Sequence, residues 1–230
     1  MPSRLWRVLF AIASLAAWRV GFYVLTPWVQ ATLFSPAADP AWATVRGHWF
    51  AWQLTGTALS VAVWLAGARL GLMPSFPKTT FGSGGSWSRV AKAGLAATAV
   101  LLVLTFAIGL AAGGELGFHP SGPKMLGDLV SNMYEEIVHR GLILCAFYGA
   151  GANATFSLDG KLDRKGVALG TVVSCVVFAA GHQQYPLPLR VLLAVIAVVF
   201  AWPLLRARSL WAAWIPHTLG DFVGDAFLKL

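Results

Sequence analysis

The sequence predicts an all-α protein, a bundle of about seven membrane-spanning helices. Three observations carry this expectation. Only 11% of the 230 residues are charged and mean hydropathy is +0.68, whereas a soluble domain carries about 25% charged residues. Several stretches run for roughly the 20 residues that a helix needs to cross hydrocarbon, among them 49–68 and 93–114, which carry no charge. No stretch shows the period-two polarity of a membrane barrel, so helices are left as the spanning element.

The expected spans are 5–29, 49–68, 93–114, 125–150, 166–182, 190–206 and 209–228. The sixth is the shortest apolar run, 191–205, where Arg190 and Arg206 extend toward the two interfaces. Pro203 is expected to distort its last turn. The stretch 73–92 has the Phe, Trp and basic residues of an interfacial linker. It divides the chain into an N-terminal hairpin with its linker (1–92) and a core (93–230). GxxxG spacings at Gly109–Gly113, Gly166–Gly170 and Gly220–Gly224 suit close helix approach.

Seventeen Lys and Arg stand against nine Asp and Glu. In a soluble chain that excess would suggest nucleic acid. Here the basic residues lie between apolar runs, where they set topology, so no nucleic-acid partner is expected and the lipid bilayer is. With the N-terminus inside, the inner segments hold eleven basic residues and the outer ones four, Arg46, Lys124, Arg190 and Lys229. The bias gives a cytoplasmic N-terminus. The first span also has features of a signal peptide, but its apolar run continues past Arg19. Cys145 and Cys175 lie in apolar segments without CxxC spacing and read as small buried hydrophobes.

Against this background the segment NMYEEIVHRGLIL (132–144) is unexpected. Glu135 and Glu136 lie about 16 Å into the fourth span at about 1.5 Å per residue. Carboxylates at that depth need a partner or water. Glu136 and Arg140 are i and i+4 with the acid first, the better order for a helical ion pair. Glu135 points about 100° away and has only His139 one turn on. Two further apolar segments carry polar groups: in CVVFAAGHQQ (175–184) an apolar helix ends with His182, and His217, Asp221 and Asp225 recur at four-residue spacing on one helix face. Asp225, near the membrane edge, reads as solvated. Acids and imidazoles converging in a dry interior suit proton transfer or metal binding.

These three constellations resemble the motifs of the CPBP family of intramembrane proteases, also called Abi, which includes the type II CAAX prenyl endopeptidases and bacteriocin-processing proteins. EEIVHR fits EExxxR, FAAGH (178–182) fits FxxxH, and HTLGD (217–221) fits HxxxN/D. The resemblance covers about residues 124–225. It implies an endopeptidase acting in or beside a membrane on a membrane-anchored protein or peptide. By the same resemblance Glu135 activates water with help from His182. His217 and Asp221 line the oxyanion side, and Glu136 with Arg140 fixes the motif helix. Phe178 orients His182, and His139 is a candidate supporting residue. Prenyl-processing members tend to carry Asn where this chain has Asp221, so Asp221 is protonated, orients His217 or helps hold a metal.

A metal-free glutamate mechanism is favoured. Zn2+ on Glu135, His182 and His217, with water in a fourth position, is the alternative. A non-catalytic scaffold or immunity factor of the same fold is the alternative function. A coupled transporter would call for inverted repeats, which the sequence lacks. The composition suggests a bacterial inner-membrane protein. Charge-derived topology puts His182 at the outer end of its span, whereas the resemblance to prenyl-processing enzymes implies a site open to the cytosol.

Overall fold

A computed structural model of the chain describes residues 4–33, 47–72, 87–111, 113–147, 164–183 and 185–229. These form seven long helices: α1 (Arg4–Leu33), α2 (Gly47–Arg69), α3 (Trp87–Ala111), α4 (Gly122–Glu136), α5 (Arg164–Gly181), α6 (Leu187–Ala207) and α7 (Leu210–Phe227). Helix α4 runs on through a π-helical segment, Ile137–Leu144, into a last turn, Cys145–Phe147. Four of the seven, α1, α3, α5 and α6, are long and apolar enough to cross a membrane by themselves. Of the remaining three, α4 runs for only 15 residues before its π-helical continuation, and α2 and α7 carry polar residues inside the bundle, with Thr55 and Ser60 on α2 and His217 on α7 buried. The all-helical architecture and the apolar helices make this an integral membrane protein.

Several boundaries differ from expectation. Helix α3 starts at Trp87, so Arg89 and Lys92 belong to its first turns rather than to a linker; residues 73–86 of that linker lie outside the described set. Helix α6 is 21 residues long, longer than its uncharged run suggests. Pro203 is buried within it, and the helix continues to a left-handed cap at Arg208, φ 56°. The last span ends at Phe227, because Leu228–Lys229 (β2) pairs antiparallel with Glu115–Leu116 (β1). This short pairing fastens the C-terminal end of α7 to the end of α3.

Small residues set the spacing between helices. On α7, Gly220 packs against Leu101 of α3 and Gly224 faces Thr105; Gly94 on α3 faces Ile215. The order of these pairs makes α3 and α7 run parallel. Gly170 of α5 lies against Leu144 and Phe147. Gly113 serves a turn instead, with φ +88°, a conformation open to glycine at no steric cost. The GxxxG expectation thus holds on α7, while Gly113 falls outside any helix.

The N-terminal hairpin is tied to the helix that carries the acids. Trp18 Nε1 donates to Ser60 Oγ at 2.9 Å, joining α1 to α2. Trp18 and Phe22 pack with Tyr134 and Val138. Trp64 of α2 is fully buried and its ring covers Gly141 in the π-helical segment. Between membrane helices such rings act through close van der Waals packing rather than removal from water, and they hold the acidic helix from one side. On the other, Trp214 Nε1 of α7 donates to the Leu129 carbonyl at 3.0 Å.

Candidate active site

Glu135 and Glu136 are the last two residues of α4, and the π-helical segment starts at the next residue. Helices with i→i+5 bonding are rare and recur at functional sites. The wider turn changes which carbonyls find partners: the His139 carbonyl accepts from Ser174 Oγ of α5 at 2.6 Å. The sequence offers no clear signal for this irregularity.

The expected pair is present. Arg140 Nη1 lies 3.1 Å from Glu136 Oε1, with both side chains 0% exposed. Two buried ions cost several kcal/mol each in lost hydration, and the surroundings offset this. The Arg140 guanidinium sits 4.7 Å from the Phe178 ring centre and 5.1 Å from that of Phe200, two cation–π contacts of about 0.5–2 kcal/mol each. Nη2 donates to the Ala197 carbonyl at 3.4 Å.

Glu136 has a second partner that spacing did not suggest. His217 Nδ1, from α7, lies 2.8 Å from the same Oε1. A carboxylate only accepts, so Nδ1 carries the proton and donates. This turns Nε2 toward the other acids, 3.8 Å from Glu135 Oε2 and 3.9 Å from Asp221 Oδ2. Phe200 of α6 stacks on the His217 ring at 4.4 Å and 17°. Glu136 and Phe200 therefore fix the imidazole from its edge and its face.

Glu136 holds His217 at Nδ1, while Asp221 stands 3.9 Å from its Nε2. Asp221 Oδ2 accepts from Asn132 Nδ2 at 2.8 Å. Asn132, one helical turn before Glu136 on α4, is a site residue that the motifs miss. Its trace in the sequence is an amide inside an apolar span, four residues from an acid. Phe200 leaves no such trace.

Glu135 is the less constrained of the two acids. Its side chain is 23% exposed and its shortest ion-pair distance is the 3.8 Å to His217. His182 and Asp221 lie within electrostatic range of it. His139, its expected neighbour one turn on, turns instead to α5, with its ring edge-on to Phe178 at 5.3 Å. His182 follows the last residue of α5, and its Nδ1 bonds the Phe178 carbonyl at 2.9 Å, leaving Nε2 for the cleft. Phe178 touches four of these groups, with His139, His182, His217 and Arg140 around its ring. Arg19 of α1 adds a cation beside Gly181, where its guanidinium fills the space of a missing Cβ.

The outer rim is polar. Asp221 is 42% exposed, and Asp225, expected to be solvated alone, pairs with Lys124 at the start of α4. Among the described residues no group of three His, Cys, Asp or Glu side chains is arranged to hold a metal ion. The two histidines proposed as ligands each use Nδ1 in a hydrogen bond. That bonding fixes each ring and leaves Nε2 as the nitrogen that would meet a metal.

Comparison with known proteins agrees with the motifs. Residues 125–223 match the family of the type II CAAX prenyl endopeptidases, Rce1-like. This stretch includes Glu135, Glu136, Arg140, His182, His217 and Asp221 and excludes α1–α3. The CPBP/CAAX protease resemblance of the segment from α4 to α7 therefore stands, and it supports a protease of the CAAX endopeptidase kind with a membrane-anchored substrate. No curated protein and no solved structure matches the chain.

Proposed function

We propose that this protein is an intramembrane endopeptidase that hydrolyses a peptide bond of a membrane-anchored protein or peptide, with Glu135 as the base that activates water. The observation that carries the reading is the sorting of two adjacent carboxylates. Glu136 is fully buried and bound by Arg140 and His217, whereas Glu135 is partly open and directed at the imidazoles. One acid holds the site together and its neighbour is left to act.

In this mechanism a water held by Glu135 and His182 gives a proton to Glu135 as its oxygen attacks the carbonyl carbon. His217, when protonated, donates through Nε2 to the developing oxyanion, and Glu136 balances its charge. Collapse of the tetrahedral intermediate breaks the C–N bond, and Glu135 returns the proton to the leaving amine. Asn132 keeps Asp221 beside His217. Glu136, Arg140, Phe178 and Phe200 are positioning residues.

The proposed setting is the inner membrane of a bacterium, with seven crossings and a cytoplasmic N-terminus. The test is cleavage of fluorogenic, lipid-anchored peptides by the purified chain in proteoliposomes. Native protein is expected to cleave with a divalent-metal chelator present, and Glu135→Gln to be inactive though folded. Full activity of the Glu135→Gln protein would move the role of base elsewhere; activity lost to chelator and restored by Zn2+ would replace the metal-free route.

A further inference from the structure

A cleft of about 380 Å³ lies between the first turns of α3 and the last turns of α6, lined by Ser88, Arg89, Lys92, Ala93, Trp202 and Arg206. Among the described residues its lining has three cationic side chains and no carboxylate. The six described carboxylates are all elsewhere: Glu135 and Glu136 in the candidate site, Asp128 on α4, Asp221 and Asp225 on α7, and Glu115 in β1, beyond the far end of α3. Like charges gathered around one cleft repel each other and favour an anion between them.

The position of the cleft identifies the anion. Uncharged runs begin at residue 93 on α3 and end at residue 205 on α6, so the basic residues flank the boundary of the apolar layer. Trp87 and Trp202 are exposed here, and Trp87 lies 6.3 Å from Trp211; tryptophan favours the interface between headgroups and acyl chains. One turn deeper the same helix faces become apolar. Leu95, three residues beyond Lys92, and Val198, four before Trp202, are both exposed. A cationic cleft above an exposed apolar strip matches a molecule with an anionic head and a hydrocarbon tail. Basic pockets between membrane helices bind such headgroups.

We propose that this cleft binds the phosphate of an anionic phospholipid, with Arg89, Lys92 and Arg206 around the phosphate oxygens and an acyl chain along Leu95 and Val198. Ser88 supplies a hydroxyl donor. The site shares no residue with the candidate active site and does not depend on the proposed proteolysis.

The test is native mass spectrometry of the full chain in detergent, titrated separately with dioleoylphosphatidylglycerol, dioleoylphosphatidylcholine and inorganic phosphate. Phosphatidylglycerol is expected to bind at least about ten times more tightly than phosphatidylcholine. At roughly five-fold per basic residue, the combined Arg89→Gln, Lys92→Gln and Arg206→Gln variant should lose affinity for phosphatidylglycerol on the order of a hundred-fold, with a smaller loss for phosphatidylcholine, whose choline cation offsets its phosphate. Should the triple variant be misfolded by gel filtration, Arg206→Gln alone should show the roughly five-fold loss. Glu135→Gln should bind lipid as the native chain does. Equal binding of the two lipids, full retention by the basic-to-Gln variants, or inorganic phosphate binding as tightly as phosphatidylglycerol would each overturn the assignment.

Discussion

Glutamine at position 135 and glutamine at position 136 are the same chemical change one residue apart, and the structure predicts opposite consequences. Glu136 Oε1 is shared by Arg140 Nη1 at 3.1 Å and His217 Nδ1 at 2.8 Å, all within a fully enclosed region. An amide in its place can still accept hydrogen bonds but no longer neutralises the guanidinium. Breaking a buried ion pair from one side costs about 3–5 kcal/mol, because the remaining charge keeps its desolvation penalty. For a chain of this size that is a fall in Tm on the order of 10 °C. Glu135 has no hydrogen bond of comparable length and is partly exposed, so Glu135→Gln should shift Tm by no more than about 2 °C, in line with a change of about 0.5 kcal/mol. The assay is thermal unfolding of each purified variant in one detergent, followed by intrinsic tryptophan fluorescence, alongside peptide cleavage. Both variants should lose activity, with only Glu136→Gln losing stability. Equal destabilisation by the two would refute the division of labour between the acids.

Three further outcomes follow from the same geometry. Gly141→Ala would drive a methyl group into the buried Trp64 ring and should cost about 1–3 kcal/mol, measured by thermal unfolding; Trp64→Leu in the same chain should recover part of that loss, and simple additivity would mean the two do not touch. Asn132→Ala should lower the cleavage rate while leaving the fold intact, because it frees Asp221, whereas Asp221→Asn should retain activity because its amide oxygen can still accept from Asn132; a fully active Asn132→Ala protein would remove this pair from the account. Gln183→Cys, beside His182 at the exposed end of α5, should react with an impermeant maleimide from the periplasmic side of cells carrying the protein; labelling from the cytosolic side alone would reverse the topology.

What the sequence could reveal depended on distance along the chain. The Glu136–Arg140 pair was legible because helix geometry fixes contacts at i and i+4. The three polar constellations were legible because charge stands out in an apolar chain. The contacts that link them were not. His217 reaches Glu136 across 81 residues and Asn132 reaches Asp221 across 89, and no local periodicity encodes such approaches. The π-helical segment was hidden for a related reason: Ile137 to Leu144 is an ordinary apolar helix by pattern, and its irregular bonding reflects neighbours such as Ser174 and Trp64. Regular helical spacing makes His139 the neighbour of Glu135, whereas in the folded chain His139 turns toward Phe178 of α5. Seven crossings follow from length and apolarity, which α4 satisfies less well because its regular helix stops at Glu136, and α2 and α7 because they carry polar residues.

Catalysis through Glu135 is the central claim, and the most direct measurement compares the termini of membrane proteins in host cells. Mass spectrometry of cells carrying the native chain and cells carrying Glu135→Gln at matched abundance should reveal one protein, or a small set, whose terminus is left unprocessed only in the variant. Identical terminal profiles, under conditions where deleting the protein has a phenotype, would contradict the protease reading and leave a membrane scaffold of the same fold.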